Sequence, residues 1–137
     1  MENMDSIGYS GRRLIKKLGI KPTDKLLLVN APMNYFELLG ADLTANVVKS
    51  GKNADWVHLF VVERKELEKQ FTKLIGQLHA NGVIWISWYK KSAKIPTDIT
   101  EDVIREIVLP TGWVDVKVCA VSDVWSGLKF VLRKEKR

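Results

Sequence analysis

The chain has few of the features on which secreted, disulfide-bonded or membrane proteins depend. Its 137 residues include one cysteine, Cys119, so no disulfide can form within it. The longest apolar stretch, residues 82–88, is far too short to cross a bilayer. Residues 1–9 contain Glu2 and Asp5 and lack the apolar segment of a signal peptide. These absences predict a cytoplasmic protein with no membrane partner.

The sequence also lacks a glycine loop where an alternating α/β protein usually keeps one. The first apolar strand, residues 26–30, runs directly into Ala-Pro-Met-Asn-Tyr at residues 31–35. Only glycine lets the backbone approach a phosphate or the amino-acid end of a cofactor closely. We therefore expect this turn to be too crowded for a dinucleotide or a sulfonium compound in the usual pose. Neither a cofactor nor a metal is predicted.

The net charge of +6 does not indicate a nucleic-acid-binding surface. Residues 1–21 carry a net charge of +3, and so do residues 133–137. The stretch between them, residues 22–132, holds 13 basic and 13 acidic residues. Basic ends of this kind are usually solvated, and neither a DNA-reading helix nor a row of stacking aromatics on a basic face is recognisable. Nucleic acid is therefore an unlikely partner.

What the chain does contain is an alternation of strands and helices. Hydrophobic residues make up 46% of it, which predicts one globular domain over residues 1–137 with flexible ends at 1–9 and 133–137. The apolar strands 56–62 and 83–88 flank a helix at 64–80, closed by Asn81-Gly82, and this unit predicts a parallel sheet. The other predicted elements are a helix at 12–18 capped by Ser10, helical turns at 35–39, a short strand at 46–49, a helix from the Asp98–Glu101 capping box to Leu109, and strands at 114–121 and 128–132 joined as an antiparallel pair.

The second half of this order resembles the sheet of class I methyltransferases. The shared pattern is strand, helix, strand, helix, a Gly112-Trp113 pair and two terminal strands. The resemblance implies a single α/β, three-layer Rossmann-like domain with a mostly parallel sheet. Its last strand would run antiparallel between its neighbours, and its first half would be abridged. Methyltransferases of this class hold the ribose with an acidic residue after strand two, whereas this chain has Lys49-Ser50, so the usual cofactor mode is not expected.

A second resemblance rests on segments spread over nearly the whole chain, which are residues 8–11, 18–21, 29–32, 57–61, 85–91, 96–102, 109–112, 114–120 and 125–129. In these segments the chain resembles a bacterial family catalogued as domain of unknown function 3052. The family is uncharacterised, so the resemblance implies a fold and no activity.

Ligands of open parallel sheets lie beyond the carboxyl ends of the strands, and this rule selects the candidate binding residues. Lys90 and Lys91, with Lys94, would suit an anion such as a phosphate or a carboxylate. The alternative, that these lysines are ordinary solvated loop residues, remains open. The candidates, which share this one edge of the sheet, are Asn30, Asn34, Tyr35, Glu63, Arg64, Trp88, Tyr89, Lys90, Lys91 and Asp98.

Other reactive side chains have simpler structural explanations. His58 alternates with Trp56 and Phe60 on a buried strand, which favours a hydrogen-bonded core histidine over a catalytic one. Cys119 lies among strand valines, as a buried structural thiol would. Tryptophans at strand ends, such as Trp125, could line a pocket or an interface, so a homo-oligomer is possible.

Three functions remain open from the sequence. The leading interpretation is a non-enzymatic domain that uses a degenerate methyltransferase-like cleft to bind a small anionic molecule or a protein partner. The alternative is a transferase-type enzyme with a non-standard cofactor or substrate mode, for which Tyr35, His58 and Lys90 are candidates. A nucleic-acid-binding protein ranks third.

Overall fold

Five strands form one mixed sheet in the order β1-β2-β3-β5-β4, in a computed structural model that describes residues 13–137. The strands are β1 (Leu26–Val29), β2 (Trp56–Phe60), β3 (Val83–Tyr89), β4 (Trp113–Ala120) and β5 (Trp125–Leu132). The α-helices are α1 (Leu14–Lys17), α2 (Tyr35–Leu39), α3 (Arg64–Ile75) and α4 (Glu101–Val108). Short 3-10 helices cover Thr44–Asn46, Gly51–Asn53, Lys91–Ala93, Leu109–Thr111 and Lys134–Lys136.

Strand direction follows the expected plan. β1, β2 and β3 are parallel, and β5 runs antiparallel between β3 and β4. The apolar runs of β2 and β3 are buried along nearly their whole length because helices cover both faces of the sheet. The predicted α/β class, the mostly parallel sheet and the inserted antiparallel strand are confirmed.

Two helical layers enclose the sheet and divide its core. On one face α3 and α4 pack against Val57, Leu59, Ile84 and Ile86. On the other face α1 and α2 cover Trp56, Phe60 and Trp85. The indole N–H groups of Trp56 and Trp85 both donate to the carbonyl of Leu18, at 3.2 and 3.0 Å. One backbone oxygen at the end of α1 thus satisfies both buried indoles.

Several predicted element boundaries are wrong. β5 begins at Trp125 rather than at residue 128, and β2 ends at Phe60 rather than at residue 62. α3 ends at Ile75 with Gly76 at its C-cap, five residues before the predicted end at residue 80. α4 begins at Glu101, and its N-cap is Thr100, whose hydroxyl accepts from the Val103 N–H, whereas the sequence pattern favoured Asp98. The helix predicted at 12–18 covers Leu14–Lys17, and its proposed cap, Ser10, lies outside the described residues.

The sheet is abridged beside β1. The short strand predicted at 46–49 is absent, because 3-10 turns at Thr44–Asn46 and Gly51–Asn53 occupy this region. A single parallel bridge joins Val47 to Leu26, and the Val48 N–H donates to the Leu26 carbonyl at 2.7 Å. Within the described residues, β1 is therefore the margin of the sheet apart from this bridge. No helix among residues 13–137 is both long and apolar enough to span a membrane.

Candidate ligand-binding cleft at the carboxyl ends of the strands

The turn after β1 keeps a left-handed residue without keeping a glycine. Asn30 has φ of 58°, a conformation that asparagine tolerates better than most side chains do. Its side-chain amide donates to the Phe60 carbonyl at 3.4 Å, which links the ends of β1 and β2. The amide occupies space that a glycine would leave open, and Pro32 follows it after one residue.

A cavity of about 420 Å³ opens beside this turn. We call it the carboxylate cavity because the acidic residues Glu63 and Glu66 line it. Two of its side chains, Tyr89 and Trp125, stack with ring centroids 4.3 Å apart and an angle of 24° between the ring planes. Trp125 reaches this edge because β5 is antiparallel, so β5 starts where β3 ends. The residues that line the cavity are Asn30, Phe60, Val62, Glu63, Glu66, Tyr89 and Trp125.

A second cavity of about 860 Å³ lies between the end of β3 and the start of α4, and we call it the lysine cavity. Its base is apolar and includes the ring of Trp88, which is 7% exposed. Tyr89 lines both cavities. The residues that line the lysine cavity are Trp88, Tyr89, Lys90, Lys91, Lys94, Ile95, Pro96, Thr97, Ile99, Thr100, Glu101, Asp102 and Arg105.

The loop that walls the lysine cavity is fixed to the neighbouring β2–α3 connection. The Thr97 hydroxyl donates to the Val62 carbonyl. The Asp98 carboxylate accepts from the Arg64 backbone N–H at 2.6 Å and so caps α3 rather than α4. The Arg64 guanidinium in turn contacts Glu106 at 3.1 Å and Glu68 at 3.5 Å. These contacts give Arg64 and Asp98 structural roles, and neither side chain lines either cavity.

A buried hydrogen-bonded chain crosses the sheet on the face covered by α1 and α2. The Tyr35 hydroxyl lies 2.7 Å from Nδ1 of His58, and Nε2 of His58 lies 2.7 Å from the Ser87 hydroxyl. His58 is 0% exposed and Tyr35 is 3% exposed. Burial lowers the pKa of His58 to about 3 and raises the pKa of Tyr35 above its ordinary value. His58 is therefore neutral at physiological pH.

The structure brings most of the candidate residues together in two groups. Asn30, Glu63 and Tyr89 line the carboxylate cavity, while Trp88, Tyr89, Lys90 and Lys91 line the lysine cavity. Asn34 is exposed at the N-cap of α2 without a capping side-chain hydrogen bond. Tyr35 and His58 line neither cavity, so their contact with a ligand in either one is not supported by the geometry.

Sequence reasoning did not select several residues that line these cavities. Phe60, Val62 and Glu66 complete the carboxylate cavity, and Glu101, Asp102 and Arg105 lie along the lysine cavity. Glu66 follows Glu63 by nearly one helical turn, so the crevice rule extended into the first turn of α3 would have found it. Among residues 13–137, no group of three or more His, Cys, Asp or Glu side chains is arranged to hold a metal ion.

Comparisons with known proteins give the fold. No family model matches the chain, and no curated protein matches it in sequence. A Streptococcus agalactiae protein of the NADB-Rossmann superfamily superposes with a TM-score of 0.59 at 11% identity, covering 89% of this chain and 68% of that one. A SAM-dependent methyltransferase from Aquifex aeolicus gives a TM-score of 0.53 at 14% identity, covering 94% and 93% of the two chains. The fold is Rossmann-like and methyltransferase-like.

A third similar structure bears on the leading functional interpretation. The S-adenosylmethionine-dependent methyltransferase from Clostridium acetobutylicum gives a TM-score of 0.54 at 9% identity, covering 87% of each chain. Because the similar structures are mostly methyltransferases, the expectation of a non-enzymatic domain is wrong, and the alternative of a transferase-type enzyme is better supported.

The described residues do not fit S-adenosylmethionine in the pose usual for class I methyltransferases. That pose needs a glycine turn after the first strand and an acidic residue after the second. Asn30 replaces glycine in the first turn, and among residues 13–137 only the isolated bridge at Val47 pairs with the outer side of β1. Lys49, which the sequence pattern placed at the end of a second strand, follows only the isolated bridge at Val47 and is exposed. A donor bound at this edge would need another set of contacts.

Proposed function

We propose that this protein is a transferase-type enzyme that holds a cationic donor in the carboxylate cavity by non-standard contacts. The observation that carries the proposal is the pairing of Glu63 and Glu66 with the stacked rings of Tyr89 and Trp125 at the carboxyl edge of the sheet. The methyltransferase-like fold supports a transfer reaction in general terms.

The chemistry of the cavity favours a flat group that bears positive charge. Carboxylates attract a cation, and the faces of tyrosine and tryptophan rings do so as well. Phe60 meets Trp125 edge-on, with ring centroids 4.9 Å apart, so the tryptophan ring is held between two aromatic neighbours. A rigid aromatic wall loses little side-chain freedom when a ligand binds to it.

The same carboxylates have a second use in a transfer reaction. A nucleophile that accepts a group from a donor gives up a proton, and a positioned carboxylate is a suitable acceptor for that proton. Glu63 lies just before α3, and Glu66 lies in its first turn. Negative charge is favoured at this end of a helix, which suits two acidic side chains beside the cavity.

Asn30 and the hydrogen-bonded chain through His58 have supporting roles in this proposal. The Asn30 amide fixes the ends of β1 and β2 relative to each other. His58 stacks on Phe60 with ring centroids 4.3 Å apart, directly behind a ring that lines the cavity. We assign His58 and Tyr35 to positioning this wall.

The test compares S-adenosylmethionine with S-adenosylhomocysteine, which lacks the positive charge on sulfur. Binding is followed by the indole N–H resonance of Trp125 in NMR titrations. We expect S-adenosylmethionine to shift this resonance, and Glu63→Gln with Glu66→Gln to weaken its affinity by about fivefold. The affinity for S-adenosylhomocysteine should change much less in the same variant.

The control variant is Glu37→Gln with Glu135→Gln, which removes the same charge from exposed positions away from the cavity. It should leave both affinities unchanged. If saturating S-adenosylmethionine leaves the Trp125 resonance in place, or if the control weakens binding as much as the Glu63 and Glu66 variant does, the cationic-donor proposal is wrong.

We also propose that the chain belongs to the family catalogued as domain of unknown function 3052. The support is the set of sequence segments given above, which includes residues 85–91 and 96–102 at the rim of the lysine cavity. An alignment with members of that family in which residues 85–91 and 96–102 find no counterpart would count against membership.

A further inference from the structure

The lysine cavity combines an apolar base with positively charged groups at its rim. Trp88 and Ile99 are buried, and both line the cavity together with Ile95 and Pro96. Lys91 and Lys94 are exposed and Lys90 is half-buried, and all three residues line the cavity. An apolar pocket with a few charged groups is the usual form of a small-molecule site.

The three lysines are available to a ligand. Among residues 13–137, the structure pairs none of their ammonium groups with an acidic side chain or a hydrogen-bond acceptor. Two carboxylates also line the cavity, Glu101 and Asp102. Glu101 is already engaged, since the Arg105 guanidinium contacts it at 2.6 Å. Asp102 is therefore the one carboxylate of this cavity left to offset three lysines.

Arg105 does not add a free positive charge. Besides Glu101 it contacts Asp115 of β4 at 3.1 Å, and the two acidic neighbours raise the pKa of the guanidinium. The positive field at the mouth of the cavity thus comes from the lysines of the loop after β3. A lysine ammonium is a mobile point charge that suits phosphate and carboxylate groups alike.

The wall that carries these lysines is held in place. Thr97 and Asp98 attach the loop to the start of α3, and the Lys90 N–H donates to the Val124 carbonyl at 2.8 Å. The backbone of the loop is thereby connected to both neighbouring segments. A site whose wall is already ordered costs less to occupy.

We propose that the lysine cavity binds an organic anion, a molecule with a flat apolar body and one phosphate or carboxylate group. The apolar body lies against Trp88, and the anionic group lies among Lys90, Lys91 and Lys94. Tyr89 separates this ligand from the carboxylate cavity, so the two sites have opposite charge preferences on either side of one ring. The binding inference does not depend on the proposed transfer reaction.

The experiment titrates the full chain with phenyl phosphate, benzoate, benzyl alcohol and inorganic phosphate. The indole N–H resonances of the five tryptophans report the site of binding. We expect phenyl phosphate, benzoate or both to shift the Trp88 resonance and to leave the buried Trp56 and Trp85 resonances in place. Benzyl alcohol lacks the charge and inorganic phosphate lacks the apolar body, so each should bind more weakly than the full anions. The two aromatic anions distinguish a phosphate site from a carboxylate site.

Two triple variants separate a built site from general charge attraction. Lys90→Gln, Lys91→Gln and Lys94→Gln should weaken binding of the preferred anion roughly fivefold or more. The control is Lys65→Gln, Lys69→Gln and Lys73→Gln on the exposed face of α3, which removes the same charge. It should retain the affinity within about twofold, as expected for remote surface charges. Equal loss in both variants, or no shift at Trp88 with either anion, overturns the inference.

Discussion

The carboxylate of Asp98 accepts a hydrogen bond from the backbone N–H of Arg64, 34 residues earlier in the chain, at 2.6 Å. Asp98 precedes α4 in the chain, yet its carboxylate caps the N-terminus of α3. The contact joins the loop that walls the lysine cavity to the start of α3, where Glu66 lines the carboxylate cavity. The junction therefore connects segments that line the two cavities.

Replacing Asp98 should loosen the junction without abolishing the fold. Asp98→Ala removes the acceptor at the N-terminus of α3, and we expect the free energy of unfolding to fall by about 1 kcal/mol. Urea denaturation followed by circular dichroism measures the change. Asp123→Ala, at an exposed position in the β4–β5 turn, is the control and should change stability much less. An Asp98→Ala variant as stable as the wild type would show that this cap contributes nothing.

The two partners of His58 should each contribute to stability. Tyr35→Phe leaves Nδ1 of the buried imidazole without its 2.7 Å partner, and Ser87→Ala does the same to Nε2. We expect each change to lower the free energy of unfolding by about 1–3 kcal/mol. Tyr89→Phe is the matched control, because its hydroxyl has no hydrogen bond within the described residues. A loss for Tyr89→Phe equal to that for Tyr35→Phe would contradict this explanation.

The stability of the protein should decrease in mildly acidic solution because of His58. Burial lowers the pKa of this imidazole from 6.5 to about 3 in the folded state. Between these values the unfolded chain binds a proton that the folded chain does not, so acid favours unfolding. The contribution is complete above pH 6.5 and is lost as the pH falls towards 3, at a rate of up to about 1.4 kcal/mol per pH unit.

Urea denaturation at a series of pH values between about 6.5 and about 4.5 tests this dependence, since aspartate and glutamate titrate mainly below that range. His79→Gln is the control because it removes the other histidine, which contacts Asp55 at 3.0 Å on the surface. The slope should persist in His79→Gln. A flat profile in the wild type would mean that His58 is protonated in the folded state.

Lys90 and Lys91, which line the lysine cavity, should be dispensable for folding. Lys91 is exposed and Lys90 is half-buried, so Lys90→Ala combined with Lys91→Ala should change the free energy of unfolding by no more than about 0.5 kcal/mol. Thermal unfolding followed by circular dichroism measures this. If the double variant unfolds, the loop after β3 is packed differently from the arrangement described above.

The sheet was predictable from local sequence because its strands are continuous apolar runs. The apolar runs at 56–62 and 83–88 predicted β2 and β3, and the short β4–β5 connection predicted the antiparallel pair.

Two local predictions were wrong. The strand predicted at 46–49 does not form, because Thr44–Asn46 is a 3-10 helix and Val47, which follows it, is 39% exposed. The end of α3 was predicted at residue 80 because Asn81-Gly82 is a typical pair of residues after a helix, whereas the helix ends at Ile75. Gly82 is required there for a different reason, since a Cβ at that position would lie 2.5 Å from the Leu78 side chain.

The site was only partly predictable because its members come from distant segments. The crevice rule found Asn30, Glu63 and Tyr89, which end or follow parallel strands. The role of Asp98 could not be predicted from the capping pattern. That pattern describes hydrogen bonds within one helix, α4, whereas the Asp98 carboxylate caps α3. The crevice rule also could not decide whether Trp125 lines a pocket or an interface, which depends on the direction of β5.

The position of β5 has a consequence for how the protein is made. β4 precedes β5 along the chain, yet in the sheet it touches β3 only through β5. While the ribosome is still synthesising the protein, β4 therefore emerges with no neighbour to pair with, and β3 keeps one open side. Assembly of this half of the sheet in its native order must therefore wait until residues 125–132 have left the exit tunnel.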